Sequence, residues 1–271
     1  MQSSLQYIRG VKTVREIVDR AYFSLCLALG RLIRFARYST VRIVRQGGTD
    51  QVKKSRSFYA PLLVGLGNVL VKLLDAGVRV LPQQDWVRRE RSVYRRVHGA
   101  SIRLDPDGML VLPRLPGVTL AALLEDPSVG ESYREKAIEL AVVALADLHE
   151  MGFTHADAMA ENILIDLESG TAHWFDFETV HDTSRSFEWR RADDVRALLV
   201  TCLARTVPER LAATLRSVLR AYPDERVTRL LVASFDSVWR RSLAIHLVQA
   251  KLSFQRFGEI ARLLGAQVRH P

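Results

Sequence analysis

The sequence predicts an α+β fold in which a sheet-rich first part is followed by a helix-rich second part. Three observations carry this prediction. Between residues 39 and 113 apolar and polar residues alternate with period two around the turn chemistries Gly47-Gly48 and Asp105-Pro-Asp-Gly108. Pro113-Arg-Leu-Pro-Gly117 then breaks the pattern, as a linker between two packing units does. From Thr119 onward the apolar residues recur mainly at helical spacing, interrupted by one short hairpin.

At 271 residues the chain is long enough for one large domain or two lobes sharing a cleft. The formal net charge of +9, carried mostly by arginine, admits anionic partners without choosing among them. Cys26 and Cys202 lie far apart with no Cys-x-x-Cys spacing, which argues against a disulfide framework or a zinc site and predicts a reducing, cytoplasmic compartment. No apolar run approaches the roughly 18 residues of a membrane span. The longest, Ala21 to Gly30, is bounded by Arg20 and Arg31 and lies behind Glu16 and Asp19, too deep for a signal peptide.

In chain order, residues 1–38 form a basic N-terminal segment. Within it, 13–38 read as a helix with a wide apolar face and Arg20, Arg31, Arg34 and Arg37 on the remainder. Such a helix can lie in a membrane interface, dock a partner, or pack on its own chain, and the last reading is favoured because core helices show such faces too. Residues 39–113 hold a hairpin of Thr40–Arg45 and Gln51–Ser55 around a Gln46–Asp50 turn, an apolar helix over Leu62–Leu74, a basic helix over Trp86–His98, and strands at Ser101–Leu104 and Met109–Leu112. In residues 114–271, Thr119 starts a helix, and Tyr133–Glu150 forms a long one that Gly152 ends. Ile163–Ile165 and Ala172–Phe175 make a hairpin. Glu188–Cys202 is helical, with Asp193-Asp194 marking a helix start before an apolar run. Three helices then fill Pro208–Leu264, broken near Tyr222-Pro-Asp224 and Arg240-Arg-Ser242.

The chemistry is concentrated between Leu145 and Val180. His155-Ala-Asp157 follows the long helix, Asn162 stands five positions after the aspartate, and Asp176-Phe-Glu178 ends the hairpin. Oxygen ligands facing each other, as in Asn162 and Asp176, suit magnesium, the ion that neutralises a migrating phosphoryl group. A further carboxylate, Asp157, can orient an acceptor hydroxyl and take its proton, with His155 beside it as a second candidate catalytic residue. The plain alternative is a loop in which Asp157 and Asn162 cap turns, His155 is a core histidine and Asp176 ends a strand. Each feature alone is common, and their joint order and spacing is what is specific.

The pattern H-x-D-x-x-x-x-N, then a strand, then D-F resembles the catalytic loop and magnesium-binding motif of protein kinases, over roughly residues 109–200. The resemblance implies a two-lobed kinase-like fold with a reduced sheet in the first lobe (39–113) and a helical second lobe (114–271), with the Pro113–Gly117 backbone receiving adenine. It implies ATP and Mg2+ as cofactors, Asp157 as catalytic base, and Asn162 and Asp176 as metal ligands. A strand lysine held by a helix glutamate over the phosphates is implied as well, and Glu90 is the only carboxylate inside its helix. The lysine candidates are Lys12, Lys53, Lys54 and Lys72. Strand parity favours Lys54, because apolar Val52 stands two before it whereas polar Gln51 stands two before Lys53. In such proteins an aspartate at the position of Asp194 bonds the catalytic-loop backbone; an ordinary N-cap is the alternative.

Departures from the pattern narrow the resemblance. Ala156 replaces the arginine of H-R-D, Met159 the following lysine and Glu178 the glycine of D-F-G, and no A-P-E follows. These features are similar to compact atypical members: lipopolysaccharide kinases, RIO-like RNA-associated kinases, and the aminoglycoside and choline kinase group. The long insertion from Ser55 to Arg89 is most similar to lipopolysaccharide-kinase-like proteins. It implies a sugar or lipid-linked hydroxyl acceptor and a site of action at the inner face of a membrane, with peripheral contact through residues 13–38. Alternatives are a serine/threonine protein kinase, an RNA-associated kinase, and a pseudokinase scaffold, since no glycine-rich loop precedes Lys54.

Overall fold

Ser39–Gln46 (β1) and Thr49–Arg56 (β2) pair antiparallel around Gly47 and Gly48, whose φ angles of 60° and 80° give the left-handed two-residue turn that matches strand twist. The turn is tighter than the five residues read from the sequence, and both strands run into it. Leu110–Pro113 (β5) pairs β2, and Arg103–Leu104 (β4) pairs β5, giving an antiparallel sheet of order β1-β2-β5-β4. Of the strand expected at 101–104 only its last two residues form. The computed structural model describes residues 39–73, 75–235 and 253–269, with Ala21 and Ser24. Apart from those two positions the N-terminal segment, its candidate membrane contact over 13–38, Lys12 and the break at Arg240-Arg-Ser242 lie outside the described residues.

Ala60–Leu73 (α1), Val78–Val80 (β3) and Gln83–His98 (α2) lie between β2 and β4 in the chain. α2 turns its Trp86, Glu90, Val93 and Tyr94 inward, and Gly99 ends it at φ 62°. After β5 come Val118–Thr119 (β6) and Leu120–Glu125 (α3), the latter capped by Thr119 Oγ1, which accepts from the Ala122 N–H at 3.2 Å. Glu131–Glu150 (α4) is the long helix. Ile163–Asp166 (β7) and Thr171–Trp174 (β8) form the expected hairpin, joined by β6 in a three-stranded antiparallel sheet. Thr179–His181 (β9) returns to pair with β3. Phe187–Ala204 (α5), Leu211–Ala221 (α6), Glu225–Ala233 (α7) and Phe254–Arg269 (α8) complete the described chain, with a 3-10 turn at Pro208–Arg210.

The fold is thus α+β, with small antiparallel sheets and eight described helices. β3, β6 and β9 were not anticipated, because two or three residues are too few to show a period. One apolar core links the sheet to the helices: Trp86, Leu110, Leu120, Leu145, Ile163, Trp174, Phe177 and Leu198 are all fully enclosed within it. Among the described residues no helix is long and apolar enough to cross a membrane.

Gly117 is required by close approach as well as by conformation. Its φ is +97°, and a Cβ there would lie 2.6 Å from the carbonyl carbon of Ile165 in β7. Gly117→Ala should cost roughly 2–4 kcal/mol, combining backbone strain with overpacking. Chemical denaturation of the variant tests this, and a loss below about 1 kcal/mol would contradict the close approach of the two segments.

Candidate active site

The site begins where α4 stops. The Gly152 N–H donates to the His149 carbonyl (3.0 Å) and the Phe153 N–H to the Leu148 carbonyl (3.1 Å), with Gly152 at φ 82°. This is a Schellman end, and it turns the chain sharply into Thr154-His155-Ala156-Asp157.

That turn is gripped by Asp194. Its carboxylate is fully enclosed and accepts from the N–H groups of His155 and Ala156, each at 2.7 Å, and from His149 Nε2 at 3.0 Å. Burial works to raise this carboxyl, but His181, His149 and His155 around it hold it below the usual carboxylate range. His149 Nδ1 accepts from the Tyr222 hydroxyl (2.7 Å), which itself accepts from Arg191 Nε (3.1 Å). The neighbouring Asp193 bonds His181 Nε2 (3.1 Å) and pairs with Arg196. The N-cap alternative for Asp194 is corrected here: α5 starts at Phe187, capped by Ser186 Oγ, so both aspartates lie inside the helix. Ala156 is held at φ 65°, a left-handed conformation that costs a non-glycine residue of order 1–3 kcal/mol. The two N–H bonds to Asp194 hold it there.

His155 is corrected from a catalytic to a positioning residue. It is fully buried, its ring lies against Phe177 (4.7 Å) and Trp174 (5.1 Å), and its Nε2 donates to the Phe175 carbonyl at 2.9 Å. Burial lowers its pKa to about 4, so it is neutral near pH 7 and fixes the segment that leads to Asp176.

Asp157 and Asn162 meet directly. Asn162 Nδ2 donates to both the backbone carbonyl and Oδ2 of Asp157, each at 2.8 Å, so the amide oxygen takes no part in these two bonds. The Phe175 N–H donates to the Asn162 carbonyl at 3.0 Å, so the hairpin places Asn162 and Asp176 at the same end. Asp176 itself has φ 67°.

Lys54 reaches this end from the sheet. Its Nζ donates to Glu90 Oε1 at 3.1 Å and pairs closely with Asp176 Oδ1. Glu90 Oε1 also accepts from Trp86 Nε1 at 3.1 Å, an i,i+4 contact on α2 whose spacing is visible in the sequence. Burial works against the charge on Lys54, but Asp176, Glu90 and Glu178 outweigh it and raise its pKa, so the ammonium persists. Arg56, two residues along the same strand face, stacks over Trp86, bonds the Leu81 carbonyl (2.6 Å) and pairs with Glu178 (3.3 Å). Lys53 points to the other face and pairs with Asp105 at 2.9 Å, which removes it as the phosphate anchor. Lys72 is exposed in the last turn of α1.

The structure therefore brings Lys54, Glu90, Asp157, Asn162 and Asp176 into one place, with Asp194 behind them. Among the described residues no group of three or more His, Cys, Asp or Glu could hold a metal unaided. The donors present, an amide oxygen and aspartate oxygens, fit magnesium, which takes one or two carboxylates and completes its shell with water and phosphate. No family model matches the chain, and no curated protein matches it significantly.

Asp194→Ala would strand two buried N–H groups and remove the partner of His149 Nε2, so it should destabilise the protein by about 3–5 kcal/mol in chemical denaturation. A loss under about 1 kcal/mol would show that the loop is held otherwise. The depressed pKa of His155 makes a second prediction. Its stabilisation is complete above about pH 6.5 and is lost as the pH falls toward about 4, roughly 3 kcal/mol in all. Melting temperatures across this window should fall less steeply in His155→Gln than in the wild type. Equal slopes would sink the assignment.

Proposed function

We propose that the chain is a Mg-ATP-dependent phosphotransferase of the kinase-like kind, two-lobed about Pro113–Gly117, moving the γ-phosphate to a hydroxyl of a sugar or lipid-linked acceptor. The observation that carries this reading is the convergence of Lys54, held by Glu90, on Asp176, with Asp157 and Asn162 at the same hairpin end.

The roles follow from the chemistry of each group. Lys54, buried and cationic, suits the phosphates, and Glu90 with Trp86 keeps it extended. Asp176 and the amide oxygen of Asn162 would hold magnesium, whose chemistry is to neutralise charge on the transferring group. Asp157, oriented by Asn162 Nδ2, accepts the proton of the incoming hydroxyl. The sheet supplies a roof for the base. Val41 and Lys54 are cross-strand partners, as are Ile43 and Val52, so these side chains share the face that Lys54 presents to the cleft. Val41 and Ile43 are both 60% exposed on that face, apolar surface suited to a planar base.

A nucleotide-binding pseudokinase is a second reading, favoured by one observation. Among the described residues β1 is the outer strand of its sheet, and the turn that follows it, Gly47-Gly48, is a tight hairpin with no phosphate-covering loop.

Transfer from γ-labelled ATP to membrane lipid extract, soluble metabolites, RNA and protein distinguishes these readings. Wild type should label one fraction, and Asp157→Ala should lose about 10²- to 10⁴-fold of the rate while still binding ATP. A fully active Asp157→Ala would overturn the assignment. ATP binding without transfer to any fraction would establish the pseudokinase.

A further inference from the structure

α1 is apolar over most of its length. Between Asp50 and Asp75 the chain has no acidic residue, and within α1 only Asn68 and Lys72 are strongly polar. A helix of that composition belongs in an interior. Yet Leu62, Leu66, Val69 and Leu73, spaced i, i+4, i+7 and i+11, all lie on its open side. Phe58 and Tyr59 extend the patch at its start, and the six residues are between 58% and 93% exposed.

This orientation is built in. Asn68 lies on the opposite side and clamps β3, its Nδ2 donating to the Val80 carbonyl (2.9 Å) and its Oδ1 accepting from the Val80 N–H (2.8 Å). Ala60 and Val64 bury themselves beneath the helix. Rotating α1 to hide its leucines would break both bonds of a part-buried amide, so the leucine stripe is held outward.

We propose that this face of α1 inserts into the surface of an anionic lipid bilayer. Four aliphatic side chains in a row supply the apolar contact, Phe58 adds to it, and Tyr59 is of the type that settles at the headgroup level. Lys72 on the exposed side, with no carboxylate anywhere in the helix, complements acidic headgroups. A second protein is the poorer occupant, because six residues fall well short of the roughly 20 a side that a stable protein interface engages. The inference is independent of phosphoryl transfer.

The test is co-sedimentation of the full chain, without nucleotide, with vesicles of phosphatidylglycerol and phosphatidylcholine, and with phosphatidylcholine alone. The wild type should prefer the anionic vesicles. Leu62→Glu with Leu66→Glu, both at exposed positions, should keep the wild-type melting temperature and lower the partition coefficient at least about tenfold. Lys72→Glu should remove a severalfold, salt-sensitive part of it. Binding by the double variant equal to wild type would place any lipid contact elsewhere and overturn the proposal, as would a wild type that ignores the vesicles. A wild-type dimer that the double variant converts to monomer would make the face a contact between two copies and overturn it equally.

Discussion

The carboxylate of Asp194 is the constraint on which the rest of the site depends. It is one side chain on α5, yet it satisfies two consecutive N–H groups of the loop and the ring of His149 at the end of α4. A loop turning through a left-handed Ala156 cannot use secondary structure to pair its backbone, so a buried acceptor must stand behind it. Asp157 inherits its position from that grip, being the next residue. The tie continues through His155 to the Phe175 carbonyl, and so to the segment bearing Asp176. Both candidate catalytic segments are therefore fixed from beneath by one buried anion and one neutral histidine.

The charge at the mouth of the site is arranged differently. Lys54 and Arg56 face three carboxyl groups, Glu90, Asp176 and Glu178. Burial pushes Glu90 above the usual carboxylate range against the pull of Lys54, and its Oε2 is buried without a hydrogen-bond partner. On the proposed phosphotransferase reading, a divalent cation would offset these carboxylates while a polyphosphate took up the lysine. Asp176 is the most exposed of the groups that touch Lys54, and its backbone is left-handed.

Much of this was legible in the sequence, for reasons that differ by residue. Parity selected Lys54 over Lys53 because a strand sends successive side chains to opposite faces, and Lys53 indeed turns away to Asp105. Gly152 and the Gly47-Gly48 pair were readable as stops because only their backbone chemistry fits those turns. Asp194 was readable as a residue of interest, but its place in α5 was not. A carboxylate pair before an apolar run has the local signature of a helix start, whereas α5 begins at Phe187 under the Ser186 cap and carries both aspartates in its interior. β3 and β9 escaped for a related reason. Three-residue strands exist by pairing across about a hundred residues, and no local window contains both partners.

The same unforeseen strands connect α1 to the site. Asn68 holds Val80 of β3, Val80 pairs with Thr179 of β9, and the next residue, Leu81, donates its N–H to the Glu178 carbonyl at 2.9 Å. Arg56 closes the circuit by bonding the Leu81 carbonyl and the Glu178 carboxylate while lying on the Lys54 face of β2. Each link is a hydrogen bond between neighbouring elements, and none passes through a long loop. The stretch from Ser55 to Arg89, which by length alone looks like an insertion, is in this light a brace for the segment that follows Asp176. A surface that engaged the open face of α1 would thereby load the same chain of hydrogen bonds, from Asn68 through Val80 and Leu81 to Glu178.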